Sequence, residues 1–234
     1  MRRHWPLLAA LAVIILLMLF VDRQASLLLH QHVPEGARPL LTALTTLGES
    51  HWYLWPTGLL SLAILIGHYA SQDSPRRRTL NWIGGIAFYL FASIALSGIV
   101  TDIVKPIVGR ARPKLLYGEQ QFYGFNPFSW GADNWSFPSG HATTFFALAL
   151  AIAFLQPRWR LALVVLAAAL TLTRPLLGAH YPSDVIAGAI VGAGTAALLR
   201  VWLAQRGWVF HHPAATASPG AIEPVPPPWR AGGP

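Results

Sequence analysis

The chain has 234 residues, of which 54% are hydrophobic and only 11% charged, with a formal net charge of +8 and no cysteine; its mean hydropathy is +0.45. A soluble domain carries about a quarter charged residues, so the composition excludes an ordinary soluble fold and makes the lipid bilayer, not a nucleic acid, the partner of this basic chain. Without cysteine there are no disulfides, no thiol catalysis and no cysteine-based metal sites.

Crossing the hydrocarbon core takes about 20 apolar residues. Six runs approach that length: 5–21, 52–70, 80–104, 140–155, 159–177 and 182–203. They predict an all-α, six-span transmembrane bundle within residues 1–210. Arg2 and Arg3 before the first run also suit a secretory signal. That run ends in Val21-Asp22-Arg23-Gln24, with no small-residue cleavage pattern, and reads as a retained span. Residues 22–50 then read as a short loop with one interfacial helix, ending in a turn at Gly48-Glu49-Ser50.

The third run closes on Lys105, with Arg112-Pro113 just beyond it. Between there and the fourth run, Leu115 to Trp135 holds Tyr117, Phe122, Tyr123, Phe125, Phe128, Trp130 and Trp135. Aromatics at this density suit either a segment lying in the membrane interface or a loop with its own aromatic core. Pro138-Ser139-Gly140-His141 opens the fourth run, Arg174 closes the fifth, and His180 with Tyr181-Pro182-Ser183-Asp184 opens the sixth. Residues 211–234, with seven prolines and three glycines, read as a disordered tail.

With the N-terminus inside, ten of the 17 lysines and arginines fall on inside segments. Of the seven outside, Lys105, Arg112 and Arg174 belong to the clusters just named, so the bias is ten against four. Both termini are therefore expected on the cytoplasmic side. The end of an odd span and the start of the next even one share a face, so all the clusters converge on the outer side.

The clusters supply three cations, two histidines, a carboxylate and a Ser-Gly helix start. Ser139 is a favoured N-cap and Gly140 lets an anion approach the backbone. The helix N-terminus attracts negative charge, and Lys105, Arg112 and Arg174 can clamp phosphate oxygens. Asp184 at the start of the last run can reach back to orient His180, leaving its other nitrogen as nucleophile or base. It can also simply cap the helix. Singly, each cation could snorkel to headgroups, and Asp102 could pair with Lys105. Together they can hold a phosphoryl group and break one of its ester or anhydride bonds.

In these residues the chain resembles the phosphatidic acid phosphatase type 2 superfamily, in its integral membrane lipid phosphatase branch. The resemblance rests on Lys105-x6-Arg112-Pro113, Pro138-Ser139-Gly140-His141 and Thr173-Arg174-x5-His180-x3-Asp184, where Thr173 stands for the family's serine. It implies a cofactor-free, metal-independent phosphoryl transfer. His180 is then the nucleophile, Asp184 its orienting acid, and His141 the proton donor and later the base. Lys105, Arg112, Ser139, Gly140 and Arg174 bind phosphate. The implied substrate is a lipid phosphate such as undecaprenyl diphosphate, phosphatidic acid, phosphatidylglycerol phosphate or lipid A 1-phosphate. Two alternatives stay open: a lipid-to-lipid phosphotransferase using the same site, and a non-catalytic membrane protein that binds or moves phospholipid. The residues specify no oligomeric state.

Overall fold

A computed structural model describes residues 5–70, 74–119, 121–213 and 221–229. The first apolar run is helix α1 (Trp5–Phe20), which breaks at Val21 and bends by 59° into α2 (Asp22–His32). Val33 is extended ahead of Pro34 and ends α2, as the steric conflict between a proline ring and the preceding residue requires. A 3-10 turn and α3 (Arg38–Thr46) follow. Residues 22–50 therefore hold two helices where one was expected, because Pro34 divides the stretch.

Helix α4 (His51–Ala70) packs along α5 (Ser74–Val108), which at 35 residues extends well beyond its apolar centre at both ends. Short α6 (Pro113–Tyr117) begins the aromatic loop. Then come α7 (Gly140–Leu155), α8 (Arg160–Leu176) and α9 (Pro182–Ala204). Helix α7 is central, in contact with α5, α8 and α9. Its alanines at 142, 147, 149, 151 and 153 are buried, so its neighbours approach closely. On α9, a methyl group added at Gly188 would lie 2.3 Å from the Ser139 carbonyl oxygen, and one at Gly192 would lie 2.2 Å from that of Thr143. This is the small-residue packing by which membrane helices associate without a hydrophobic driving force. The Tyr89 hydroxyl of α5 donates to the Ala196 carbonyl of α9 at 2.9 Å and ties the third face.

All six apolar runs are helical, but among the described residues three helices are long and apolar enough to cross a membrane by length and composition: Pro75–Val108, Pro157–Leu176 and Pro182–Ala204. The bent α1–α2 pair makes a fourth if it counts as one span. The expected six is thus not reached by this measure, since α7 has only 16 residues and α4 carries His51 and His68 among its apolar residues.

The described part of residues 211–234 is held against the bundle. β1 (Phe210–His211) pairs antiparallel with β2 (Glu223–Pro224), and Val225 N–H donates to the Val209 carbonyl at 2.8 Å. Trp82 Nε1 donates to the Val225 carbonyl at 2.9 Å, and Trp229 stacks edge-on against Trp82. Phe210 is fully buried against Tyr89. Residues 214–220 and 230–234 of the expected tail lie outside the described residues, and residues 221–229 form a strap across the bundle end. Composition missed it because main-chain hydrogen bonds and a few apolar anchors suffice to hold it.

Candidate active site

The C-terminal ends of α5 and α8 and the N-terminal ends of α7 and α9 bring the clusters together. Lys105, near the end of α5, pairs with Asp102 at 2.8 Å, one turn back. Its Nζ still lies 3.4 Å from where a Gly140 side chain would begin, over the N-terminus of α7. Ser139 caps α7, its hydroxyl accepting from Ala142 N–H, and its own N–H donates to the Asp184 carbonyl at 3.0 Å, joining the starts of α7 and α9. Arg112 donates from Nε to the Ala132 carbonyl at 2.9 Å, while its terminal nitrogens reach the carbonyls of Ala179 at 3.3 Å and Trp135 at 3.4 Å. Burial pulls the Arg112 pKa below its ordinary value, and Asp184 and Asp133 only partly oppose this. Lys105, Arg112, Arg174 and His180 all lie within electrostatic range of His141.

His180 is buried, with Nδ1 2.7 Å from the Ser136 carbonyl oxygen. A carbonyl can only accept, so Nδ1 carries the proton and Nε2 keeps its lone pair. Burial, the largest influence, lowers the His180 pKa to about 4 against the opposing pull of Asp184. The ring is therefore neutral at physiological pH. Asp184 Oδ2 lies 3.7 Å from Nδ1, outside hydrogen-bond range. The direct contact expected between them is thus replaced by the Ser136 carbonyl. Asp184 instead accepts from Tyr181 N–H at 2.8 Å and from the Ser136 hydroxyl at 2.6 Å, so it both caps α9 and faces the histidine as a nearby negative charge.

Sequence reasoning missed several residues around this centre. Arg110, counted only as a loop cation, is buried and donates through Nη1 to Asp184 at 2.5 Å and through Nη2 to Asp22 at 2.7 Å. Asp22 sits at the α1–α2 break and is fully buried. Burial works against the Arg110 charge, but Asp184 and then Asp22 outweigh it and raise its pKa. A second arginine two residues before Arg112, and an acid directly ending an apolar run, were the available signals. The α3–α4 turn also reaches the site. Thr45 Oγ1 accepts from Arg174 Nη1 at 3.0 Å, and a side chain at Gly48 would begin 2.7 Å from the His141 ring. Arg174 Nε is buried with no hydrogen-bond partner among the described residues.

The aromatic loop divides between its two readings. Tyr117 stacks on His30 at 3.9 Å between ring centres, and Tyr123 donates to the Met18 carbonyl. Phe128 and Trp130 point outward, 73% and 80% exposed. A separate cavity of about 600 Å³ between α4 and α5 contains none of the cluster residues. Among the described residues, no three His, Asp or Glu side chains stand close enough together to hold a metal ion.

The profile of the PAP2 superfamily matches residues 86–208, which contain every one of the clusters. The chain belongs to the PAP2 superfamily. Its relatives include a lipid A 1-phosphatase of Rhizobium johnstonii, 34% identical over 204 residues that cover 87% of this chain and 82% of the relative. A decaprenylphosphoryl-5-phosphoribose phosphatase of Mycobacterium tuberculosis is 34% identical over 166 residues, 69% of this chain and 80% of that one. The fold matches the crystal structure of a transmembrane PAP2-type phosphatidylglycerolphosphate phosphatase from Bacillus subtilis, with a TM-score of 0.57 and 17% identity over 83% of this chain and 94% of that one. This PAP2 protein is accordingly a membrane-bound phosphatase, a hydrolase whose substrate is a lipid phosphate.

Proposed function

We propose that this PAP2 protein removes a phosphate from the anomeric position of a lipid A-type glycolipid by metal-independent transfer through His180. The observation that carries the mechanism is the buried His180, with Nδ1–H held by the Ser136 carbonyl and Nε2 left as the nucleophile. Nε2 attacks phosphorus and the bond to the lipid oxygen breaks, with His141 donating a proton to that oxygen. Water, deprotonated by His141, then releases inorganic phosphate and restores His180.

Lys105, Arg112, Arg174 and the N-terminus of α7 hold the non-bridging oxygens, where charge accumulates in the transition state. The partnerless Nε of Arg174 supports that role, since a buried donor left unpaired costs about 1–3 kcal/mol until an anion accepts from it. Substrate choice rests on the rhizobial relative, which matches along 87% of this chain. We read α1, α4, α5, α7, α8 and α9 as six crossings of a bacterial inner membrane. Both termini are then cytoplasmic, the strap lies on the inner face, and the site faces outward, with Phe128 and Trp130 at the lipid boundary.

The test is phosphate release in detergent from lipid A, undecaprenyl diphosphate, phosphatidic acid and phosphatidylglycerol phosphate, by the wild type and by His180→Ala. Lipid A should be turned over fastest, and the variant should release none from any of them. Faster release from another lipid would overturn the substrate assignment, and full release by the variant would overturn the mechanism.

A further inference from the structure

Arg110 is the most completely enclosed cation among the described residues. It is 1% exposed, its guanidinium carbon 4.3 Å from the centre of the Tyr181 ring and 5.7 Å from those of Tyr123 and Phe125. Its fork spans two fully buried carboxylates, Asp184 on α9 and Asp22 at the α1–α2 break. Ser183 completes the group: its N–H donates to Asp22 Oδ1 at 3.0 Å, its hydroxyl donates to Asp22 Oδ2, and it accepts from Arg110 Nη1 at 2.7 Å. A salt bridge built only for stability would be poorly chosen here, because burying ions usually costs as much as their pairing returns. Anchoring the helices would need one carboxylate opposite Arg110. The second leaves the group with one surplus negative charge, next to the histidine that becomes cationic when it takes the phosphoryl group.

We infer that Asp22 and Arg110 are positioning residues that set the charge and aim of Asp184, so that the buried group counterbalances His180 when its Nε2 carries the phosphoryl group. The inference rests on His180 being the nucleophile. When Nε2 bonds to phosphorus and the lipid oxygen leaves with a proton from His141, the ring keeps its Nδ1 proton and gains a positive charge. Asp184 Oδ2 lies 3.7 Å from that nitrogen. Arg110 alone would neutralise Asp184, and Asp22 returns the negative charge to the group. Arg110 at the same time fixes the carboxylate through Nη1, so that it faces the ring without taking the hydrogen bond that Ser136 accepts.

A double-mutant cycle separates charge balance from simple scaffolding. Asp22→Asn makes the group neutral, Arg110→Gln gives it two surplus negative charges, and the two together restore the wild-type surplus of one. Each single variant should lower kcat on the preferred lipid phosphate about tenfold or more, roughly the effect of 1.4 kcal/mol, with little change in KM. The double variant should form more phosphohistidine, trapped by an alkaline quench, than either single one. Arg110→Lys, which keeps the charge, should be more active than Arg110→Gln. A double variant no better than the worse single one, or singles with wild-type kcat, would overturn the inference. If a single variant fails to fold, the double variant compared with wild type decides: a folded double that forms no phosphohistidine counts against it. His180→Ala serves as the control, because phosphate release without His180 would remove the underlying reading and not this inference alone.

Discussion

Asp184→Asn is the substitution whose cost can be worked most closely. Oδ1 receives Arg110 Nη1 at 2.5 Å, while Oδ2 receives the Ser136 hydroxyl at 2.6 Å and Tyr181 N–H at 2.8 Å. Asparagine must turn its NH₂ toward one of these sides. Facing Arg110, it sets donor against a buried cation; facing Tyr181, it sets donor against a backbone N–H. Removing one member of a buried ion pair costs about 3–5 kcal/mol, and an unpaired buried donor about 1–3 kcal/mol. If about 3 kcal/mol of this is lost from the transition state, kcat falls roughly a hundredfold. The cap of α9 is weakened as well, so the melting temperature in detergent should drop while the helical circular dichroism signal persists. Steady-state phosphate release and thermal melting measure both effects. An Asp184→Asn protein within about threefold of wild-type kcat would refute the reasoning, because a charge next to His180 would then be dispensable.

Other outcomes follow from the same geometry. His180 must be neutral to attack, and its pKa lies near 4 in the folded protein, so the nucleophile-dependent limb of kcat/KM should rise through about pH 4 and be flat by neutrality. A limb centred at the ordinary histidine value of 6.5 would contradict its burial. The stability sign runs the same way: the folded ring resists a proton that the unfolded ring takes up below 6.5, so melting temperature should fall as pH drops from 6.5 toward 4 and level off below. Gly48→Ala places a methyl 2.7 Å from the His141 ring and 2.8 Å from Phe145, and should lower kcat while leaving the fold intact; an unchanged kcat would show that His141 yields freely. Ending the chain before Ala221 removes the Val225–Val209 and Trp82–Val225 hydrogen bonds, each worth about 1 kcal/mol. Melting temperature should drop and kcat should hold, whereas lost activity with unchanged stability would contradict the strap assignment. Chelators should leave phosphate release unaltered and orthovanadate should inhibit competitively, both read in the same assay.

What could be read from the sequence depended on how local its cause was. The apolar runs located the helices because hydropathy acts residue by residue, and Ser139-Gly140 marked the first turn of α7 because an N-cap is a four-residue event. Alternation of helix direction was enough to bring Lys105, His141, Arg174 and His180 to one end. The Asp22–Arg110 pair was not visible: the two residues are 88 positions apart, and their meeting depends on the bend between α1 and α2. The Ser136 carbonyl left no trace either, since a backbone acceptor is the same for every residue type. Proline content suggested a loose tail, but the strap is held by main-chain pairing at Val209 and Val225 and by the buried Phe210 ring.

The central claim is that His180 carries the phosphoryl group. Rapid acid-free quenching of the enzyme during turnover of a labelled lipid phosphate, followed by peptide mass spectrometry, tests it directly. One phosphoryl group is expected on His180, labile to acid and stable to base, and none in His180→Ala. Label on another residue, or rapid turnover with no covalent phosphoenzyme, would contradict it.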